Sequence, residues 1–215
     1  MLDIKTVRLK TRELKFFFYL YLLVGTLLYA QNDYSLRAAV GSSSAHNFND
    51  LYKFRGLNPH EANTKVYGLS GAYKLTEDIL DWPVDFYING SLNYFDENGH
   101  QKDFLEADIY IKLFFKFDFW SNQFRYGIGK GVSYAERIPY VEALEAIEKQ
   151  DNQSQLLNYM EMTFDFDIGK FLRSKQLEEV YIGYLIKHRS GVRGLYNGVR
   201  EGGSNYNCFY IEKNF

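Results

Sequence analysis

The sequence is poor in the residues that cross-link small domains or interrupt strands. Its 215 residues include 1 cysteine and 3 prolines. A single cysteine excludes an intrachain disulfide framework. No catalytic motif surrounds Cys208, so we expect it to be a small packed side chain.

An excess of charge of one sign is also missing. The chain has 25 Lys plus Arg against 27 Asp plus Glu, a formal net charge of -2. This balance provides no electrostatic basis for binding nucleic acid, and we predict no nucleic-acid partner. What the sequence does contain is 19 Tyr and 18 Phe, which favours β-strands.

Only the N-terminus holds a long apolar run. Residues 1–15 carry five basic side chains, and FFFYLYLLVGTLLYA follows at 16–30 without a charge. This run is shorter than the roughly 20 residues of a transmembrane helix and precedes a polar QND. We predict a signal peptide over residues 1–30, cut near Ala30 or Gln31, followed by one domain over 31–215. An uncleaved inner-membrane anchor is the alternative.

Strict alternation of apolar and polar residues dominates the remaining chain. It is clearest in EADIYIKLFFKFDFW (106–120), MEMTFDFDIGKF (160–171) and VDFYINGSLNYF (84–95). A period of two predicts strands with one apolar and one polar face. We predict eight strands, at 33–41, 65–75, 83–95, 104–119, 123–135, 159–171, 179–190 and 203–215.

The strand lengths and connections indicate how these strands are arranged. Most strands reach the roughly 9–11 residues that a tilted strand needs to cross a bilayer. Short connections (76–82, 120–122 and 172–178) alternate with generally longer ones (42–64, 96–103, 136–158 and 191–202). This favours an all-β fold, an eight-stranded antiparallel transmembrane β-barrel with long extracellular loops and short periplasmic turns. A soluble lipocalin-like barrel, with its apolar face inward, is the competing architecture.

A barrel of eight strands is filled by side chains, so a diffusion pore is not expected. Inward residues such as Lys112, Lys116, Asp165 and Asp167 should form a packed polar network. Any function should then lie in the loops or on the outer wall. A helix is predicted in PYVEALEAIEKQ (139–150), as a lid, a surface helix or an elaborated loop.

The stretch IKHRSG (186–191) contains the candidate chemistry. His188 and Ser190 share one face of the seventh strand, continuing the apolar series that should face lipid, whereas Lys187 and Arg189 should face the lumen. A histidine beside a serine can accept the hydroxyl proton and make it a nucleophile. Such a pair needs a third group to orient the imidazole, and Glu201 is the nearest acidic candidate. The same two residues could instead be an interfacial anchor and the start of a turn.

A family resemblance extends this interpretation. A signal peptide, eight strands, an H-x-S on the penultimate strand, a glycine-rich loop and a last strand ending in Phe215 resemble the PagL-type lipid A 3-O-deacylases. LLNYMEMTFDFDIG and YIGYLIKHRSGVRGLYNGVREGGSNYNCFYIEKNF, within 156–215, are similar to acyloxyacyl hydrolase-like proteins of that group. The family's usual H-x-S-N-G has Gly191 and Val192 in its last two places here.

The resemblance implies an esterase that removes a fatty acyl chain from lipid A of lipopolysaccharide in a Gram-negative outer membrane. His188 would be the base, Ser190 the nucleophile, Glu201 the orienting acid, and the backbone N–H of Gly191 an oxyanion donor. No cofactor or metal is expected, because His46, His60 and His100 lack ligand spacing. The alternative is a non-enzymatic structural or adhesive barrel. The acyl position cleaved and the formation of a homodimer stay open.

Overall fold

The alternating segments form a single closed sheet. The computed structural model describes residues 33–46, 48–51, 58–200 and 202–215. Within them, eight antiparallel strands pair in chain order, and the first also pairs with the last. They are β1 (Tyr34–Ser43), β2 (Lys65–Thr76), β3 (Val84–Asp96), β4 (Phe104–Phe119), β5 (Asn122–Ala135), β6 (Leu156–Asp167), β7 (Val180–Ser190) and β8 (Gly203–Asn214). The predicted signal peptide, residues 1–30, lies outside the described residues.

The apolar faces of the strands point outward and the polar faces inward. On β4, Ile109 and Ile111 are 66% and 51% exposed, whereas Tyr110 and Lys112 are buried. This is the distribution that a barrel needs when lipid surrounds it. The predicted eight-stranded antiparallel barrel is confirmed, and the lipocalin-like alternative is wrong because its apolar face would line the interior.

Ion pairs fill the barrel interior. Glu161 lies 2.9 Å from the Arg37 guanidinium and 2.7 Å from the Lys112 ammonium. Arg125 pairs with Asp165 and with Glu212, each at 2.8 Å. A buried charge is tolerated only when it is paired. These side chains therefore pack as a polar network, as we predicted from the charged residues on the inward faces.

The connections differ between the two ends of the barrel. Residues 77–83, 120–121 and 168–179 form what we call the turn end, and 97–103, 136–155 and the described residues of 44–64 and 191–202 form the loop end. These connections contain the helices α1 (Phe48–Leu51), α2 (Tyr140–Glu148) and α3 (Ile168–Leu172). Among the described residues, no helix has the length and apolar character required to cross a membrane.

The sixth strand and the turn after it differ from the prediction. The strand runs from Leu156 to Asp167 rather than over 159–171. The Asp167 carboxylate accepts hydrogen bonds from the backbone N–H of Lys170 at 3.0 Å and of Glu179 at 3.1 Å. It thereby caps α3 and holds the far side of the connection, so 168–179 is longer and more ordered than the short turn expected.

The predicted helix in the 136–158 loop is present as α2, and it closes the loop end of the barrel. Val141 joins an apolar cluster at this end that also includes Phe95, Tyr206 and Cys208. Leu144 and Ile147 are 37% and 70% exposed, so α2 buries only part of its apolar face. Cys208 is buried in this cluster, as a packed side chain.

Candidate functional site

Strand parity places His188 and Ser190 on the outer wall near the loop end. Their neighbours Lys187 and Arg189 are buried inside the barrel, where both pair with Glu106 at 2.6 and 2.5 Å. Successive residues of a strand point to opposite faces. His188 and Ser190 therefore project outward, and both are partly buried there.

The imidazole of His188 is held by an amide on the adjacent strand. Asn205 is the cross-strand partner of His188, and its Oδ1 lies 2.7 Å from His188 Nδ1. The Asn205 Nδ2 donates to the backbone carbonyl of His46 at 3.1 Å. The loop after β1 thus fixes the amide, and the amide fixes the imidazole.

These two hydrogen bonds determine the tautomer of the neutral ring. The His46 carbonyl oxygen only accepts, so Asn205 must present Nδ2 to it and Oδ1 to the histidine. Because Oδ1 also only accepts, Nδ1 of His188 carries the ring proton. The lone pair on Nε2 is then available to accept a proton, which is the state that a general base requires.

Ser190 lies next to His188 on the same face, about 6.6 Å away between Cα atoms for a strand rise of about 3.3 Å. Its Oγ accepts a 3.5 Å hydrogen bond from Nδ2 of Asn158, the residue opposite it on β6. No direct hydrogen bond joins His188 and Ser190, both of which are described in full. On the other side Ser190 pairs with Gly203, which offers no side chain to cover the hydroxyl.

An aromatic ring covers the histidine from the loop side. The Phe48 ring of α1 lies over the imidazole, with 4.6 Å between the ring centroids. The segment that supplies this ring also supplies the His46 carbonyl. The loop after β1 therefore shields the His188–Asn205 hydrogen bond from water, which strengthens it.

On the turn-end side of His188, the outer wall is largely apolar. Ile186 pairs with Met162, and Tyr184 pairs with Phe164 and Phe209. The Tyr184 hydroxyl is satisfied by Asn207 Oδ1 at 2.7 Å. The polar residues thus lie at the loop-end edge of an outer surface on which the apolar rings of Phe164 and Phe209 are 40% and 69% exposed.

The structure also locates Gly191, whereas Glu201 lies outside the described residues. Gly191 follows β7 directly, and a Cβ atom on it would lie 2.0 Å from the Val199 carbonyl oxygen. Any larger residue would therefore push the 191–202 loop away from the strand. The role predicted for Glu201 stays a prediction, but its two neighbours donate backbone N–H groups to Asp151: Arg200 at 2.8 Å and Gly202 at 2.9 Å.

Helix α2 reaches the site from inside the barrel. The Glu142 carboxylate accepts from Arg189 Nε at 3.1 Å and from the Ser204 hydroxyl at 3.2 Å. Burial raises the pKa of Glu142, and the Arg189 guanidinium opposes this shift. Arg189 lies between His188 and Ser190, so α2 is connected to the strand that carries both.

Two residues of the site, Asn205 and Asn158, were not identified from the sequence. Each lies directly across from a residue that the sequence did identify: Asn205 pairs with His188, and Asn158 pairs with Ser190. Strand pairing was the signal that could have found them, but it needs the register, which loop lengths leave undetermined.

In the described part of the chain, no three His, Cys, Asp or Glu side chains are grouped as metal ligands.

Comparison with known proteins identifies the fold. No family model and no curated protein matches the chain. The crystal structure of the outer membrane enzyme PagL matches it with a TM-score of 0.55 at 11% identity, covering 84% of this chain and 99% of that one. The crystal structure of Neisserial surface protein A (NspA) matches with a TM-score of 0.49 at 12% identity, covering 86% of this chain and 98% of that one. This protein therefore shares with PagL the closed eight-stranded antiparallel barrel, and at this identity the likeness concerns the fold alone.

Proposed function

We propose that the protein is an esterase of the Gram-negative outer membrane that removes a fatty acyl chain from lipid A of lipopolysaccharide. The observation that carries the proposal is the His188–Asn205 hydrogen bond, which leaves Nε2 as the unprotonated nitrogen of a histidine two residues from Ser190 on the same outer face. A structural surface has no need for an oriented imidazole next to a serine in an apolar environment, where both side chains lose hydration.

The position of the site supports a lipid substrate. His188 and Ser190 lie at the loop-end edge of the apolar wall that includes Met162, Phe164 and Phe209. A lipid in the surrounding leaflet would lay its chains along this wall and bring its ester groups to the level of Ser190. The membrane itself then orients the substrate, which removes part of the entropic cost of reaction.

The reaction divides into two steps. Ser190 Oγ attacks the ester carbonyl while His188 Nε2 takes the hydroxyl proton, and the ester C–O bond breaks as Nε2 returns the proton to the leaving alcohol oxygen. A water molecule, deprotonated by Nε2, then cleaves the acyl-serine and releases the fatty acid, and the proton returns to Oγ. Asn205 holds Nδ1–H throughout, a role that asparagine has in Cys-His-Asn enzymes.

Two groups beside Ser190 are suited to stabilise the oxyanion. One is the backbone N–H of Gly191, the donor predicted from the sequence. The other is Asn158 Nδ2, a side-chain donor 3.5 Å from Ser190 Oγ. Rotation of the serine toward His188 would leave this amide free for the substrate oxygen, and hydrogen bonds of this kind commonly tighten only when substrate binds.

The decisive experiment is an esterase assay on the refolded protein. Purified lipopolysaccharide is incubated with the wild type, with Ser190→Ala and with Ser42→Ala, an outward serine on β1 that serves as the matched control. We expect release of 3-hydroxy fatty acid by the wild type and the control but none by Ser190→Ala, which should refold normally. Equal release by Ser190→Ala would refute the assignment.

The alternative function is a structural or adhesive barrel without catalysis. If this alternative holds, neither the wild type nor the variants will release fatty acid from lipopolysaccharide or from phospholipid. The wild-type measurement above therefore separates the two functions.

A further inference from the structure

A cavity at the loop end adjoins the candidate site. It has a volume of about 260 Å³ and lies between the loop after β1, helix α2 and the start of β8. Asn205, whose amide holds the imidazole, forms part of its wall. The Asn205 side chain therefore contacts His188 and also lines the cavity.

The walls of the cavity are held by contacts within the barrel. On one side, Glu142 ties α2 to the buried Arg189. On the other, the His60 backbone N–H donates to the Ser43 carbonyl at 2.8 Å, and His60 Nδ1 accepts from the Ala62 N–H at 3.0 Å. These contacts fix the described residues on both sides of the cavity.

The lining offers acceptors, a donor and an apolar surface together. Glu145 and Glu148 provide carboxylate oxygens. Because His60 Nδ1 accepts a hydrogen bond, its neutral ring carries the proton on Nε2, which is a donor. Val141 and Leu144 add apolar contacts. Hydroxyl groups on a carbon ring match this combination, since they donate to carboxylates, accept from imidazole and present C–H groups to apolar side chains.

A phosphate group matches the lining less well. Two carboxylates face the cavity, and its Lys149 is ion-paired with one of them, Glu145, at 2.6 Å. The volume also sets the size of the ligand, because pockets for drug-sized molecules begin at about 300 Å³. The cavity is therefore of a size for one ring-sized group.

We propose that this cavity binds one sugar ring of a glycolipid substrate and so determines which lipids present an ester to Ser190. The inference rests on the proposed function, which it deepens by assigning the sugar of the lipid to a separate subsite, this cavity. The sugar occupies the cavity at the rim while the acyl chain lies along the apolar wall, and Asn205 separates the two subsites. A phospholipid lacks the ring and loses this part of the binding.

Binding is measured separately from catalysis. The probe is a monoacylated glucosamine, added to Ser190→Ala protein in detergent micelles, and a phospholipid with the same acyl chain is the comparison. Leu144→Trp fills the cavity, and Ile147→Trp places the same ring on the exposed side of α2, away from the lining. Glu148→Gln removes one lining carboxylate.

We expect Leu144→Trp and Glu148→Gln to weaken glycolipid binding about tenfold or more, which corresponds to about 1.4 kcal/mol. Ile147→Trp should bind as the parent does, and none of the variants should change phospholipid binding. In the catalytic protein the same substitutions should raise KM for the glycolipid and leave kcat unchanged. Glu61→Gln removes the same charge as Glu148→Gln at an exposed position beside His60, and it should change neither glycolipid binding nor KM.

The outcomes separate this proposal from the proposed function. If the wild type hydrolyses no lipid but Leu144→Trp and Glu148→Gln still weaken glycolipid binding, the esterase assignment fails and the sugar site stands. If hydrolysis depends on Ser190 but these variants bind glycolipid as tightly as their controls, the sugar site is overturned. An equal loss for glycolipid and phospholipid would also overturn it, because the cavity would then not recognise the sugar.

Discussion

Replacing Asn205 with alanine tests the central feature of the site, the hydrogen bond that orients His188. The substitution removes the acceptor at 2.7 Å from Nδ1 and leaves the His46 carbonyl without its donor. The imidazole can then rotate and exchange tautomers, so Nε2 is no longer held as the base. We expect the barrel to fold, because Asn205 lies on the outer wall and has no ion pair inside the barrel.

The expected loss of activity follows from the charge that develops on the ring. When the base takes a proton, Nδ1–H becomes part of an imidazolium, and hydrogen bonds to charged groups contribute about 1.5–3 kcal/mol. At about 1.36 kcal/mol per tenfold, kcat should fall roughly 10- to 150-fold. KM should change little, since the neutral ring in the ground state gains less from the same bond. Ser190→Ala should reduce activity to background.

The assay is fatty-acid release from lipopolysaccharide by the refolded wild type, Asn205→Ala, Asn205→Asp and Glu201→Gln. Aspartate can still accept from Nδ1, but its second oxygen opposes the His46 carbonyl, so we expect partial activity and weaker hydrogen-exchange protection near His46. If Asn205→Ala keeps the wild-type kcat while Glu201→Gln loses it, the orienting residue is Glu201 and our reasoning about the tautomer is wrong.

Three further experiments test other parts of the structure. Asn158→Ala should lower kcat about 10²- to 10³-fold with little change in KM if its amide binds the oxyanion, and an unchanged kcat would leave that role to the backbone. Glu142→Leu should lower the free energy of unfolding, measured by urea titration in lipid vesicles, by about 3 kcal/mol. Arg189→Leu should cost more, because it removes the ion pairs to both Glu142 and Glu106 and leaves Glu106 with Lys187 alone. Burial raises the pKa of Glu97 more than the hydrogen bond from the first N–H of α2 lowers it, so protonation of Glu97 favours the packed position of α2. Protection factors of α2 should therefore fall as the pH rises above about 4.3, the ordinary glutamate pKa, and should fall less in Glu97→Gln, where Glu142, whose pKa burial also raises, still titrates.

Features that depend on neighbouring residues in the chain were predictable. The bounds predicted for β4, 104–119, match those observed, because alternation is a local pattern that persists until the strand ends. The outward direction of His188 follows from the same parity. The end of β6 was misjudged by several residues, since the Asp167 cap that starts α3 competes with an alternation that continues beyond it. The start of α2 after Pro139 was visible as a change of period.

Local residue order was enough to predict eight two-faced strands, the apolar face of each, and the outer face that His188 and Ser190 share. The residues that lie beside these two depend on the folded barrel. Asn205 reaches His188 because β8 pairs with β7 in one register after the 191–202 loop, and Glu142 reaches Arg189 because α2 folds over the barrel mouth. Parity is set by the geometry of adjacent residues, whereas register and loop placement depend on closing the whole barrel.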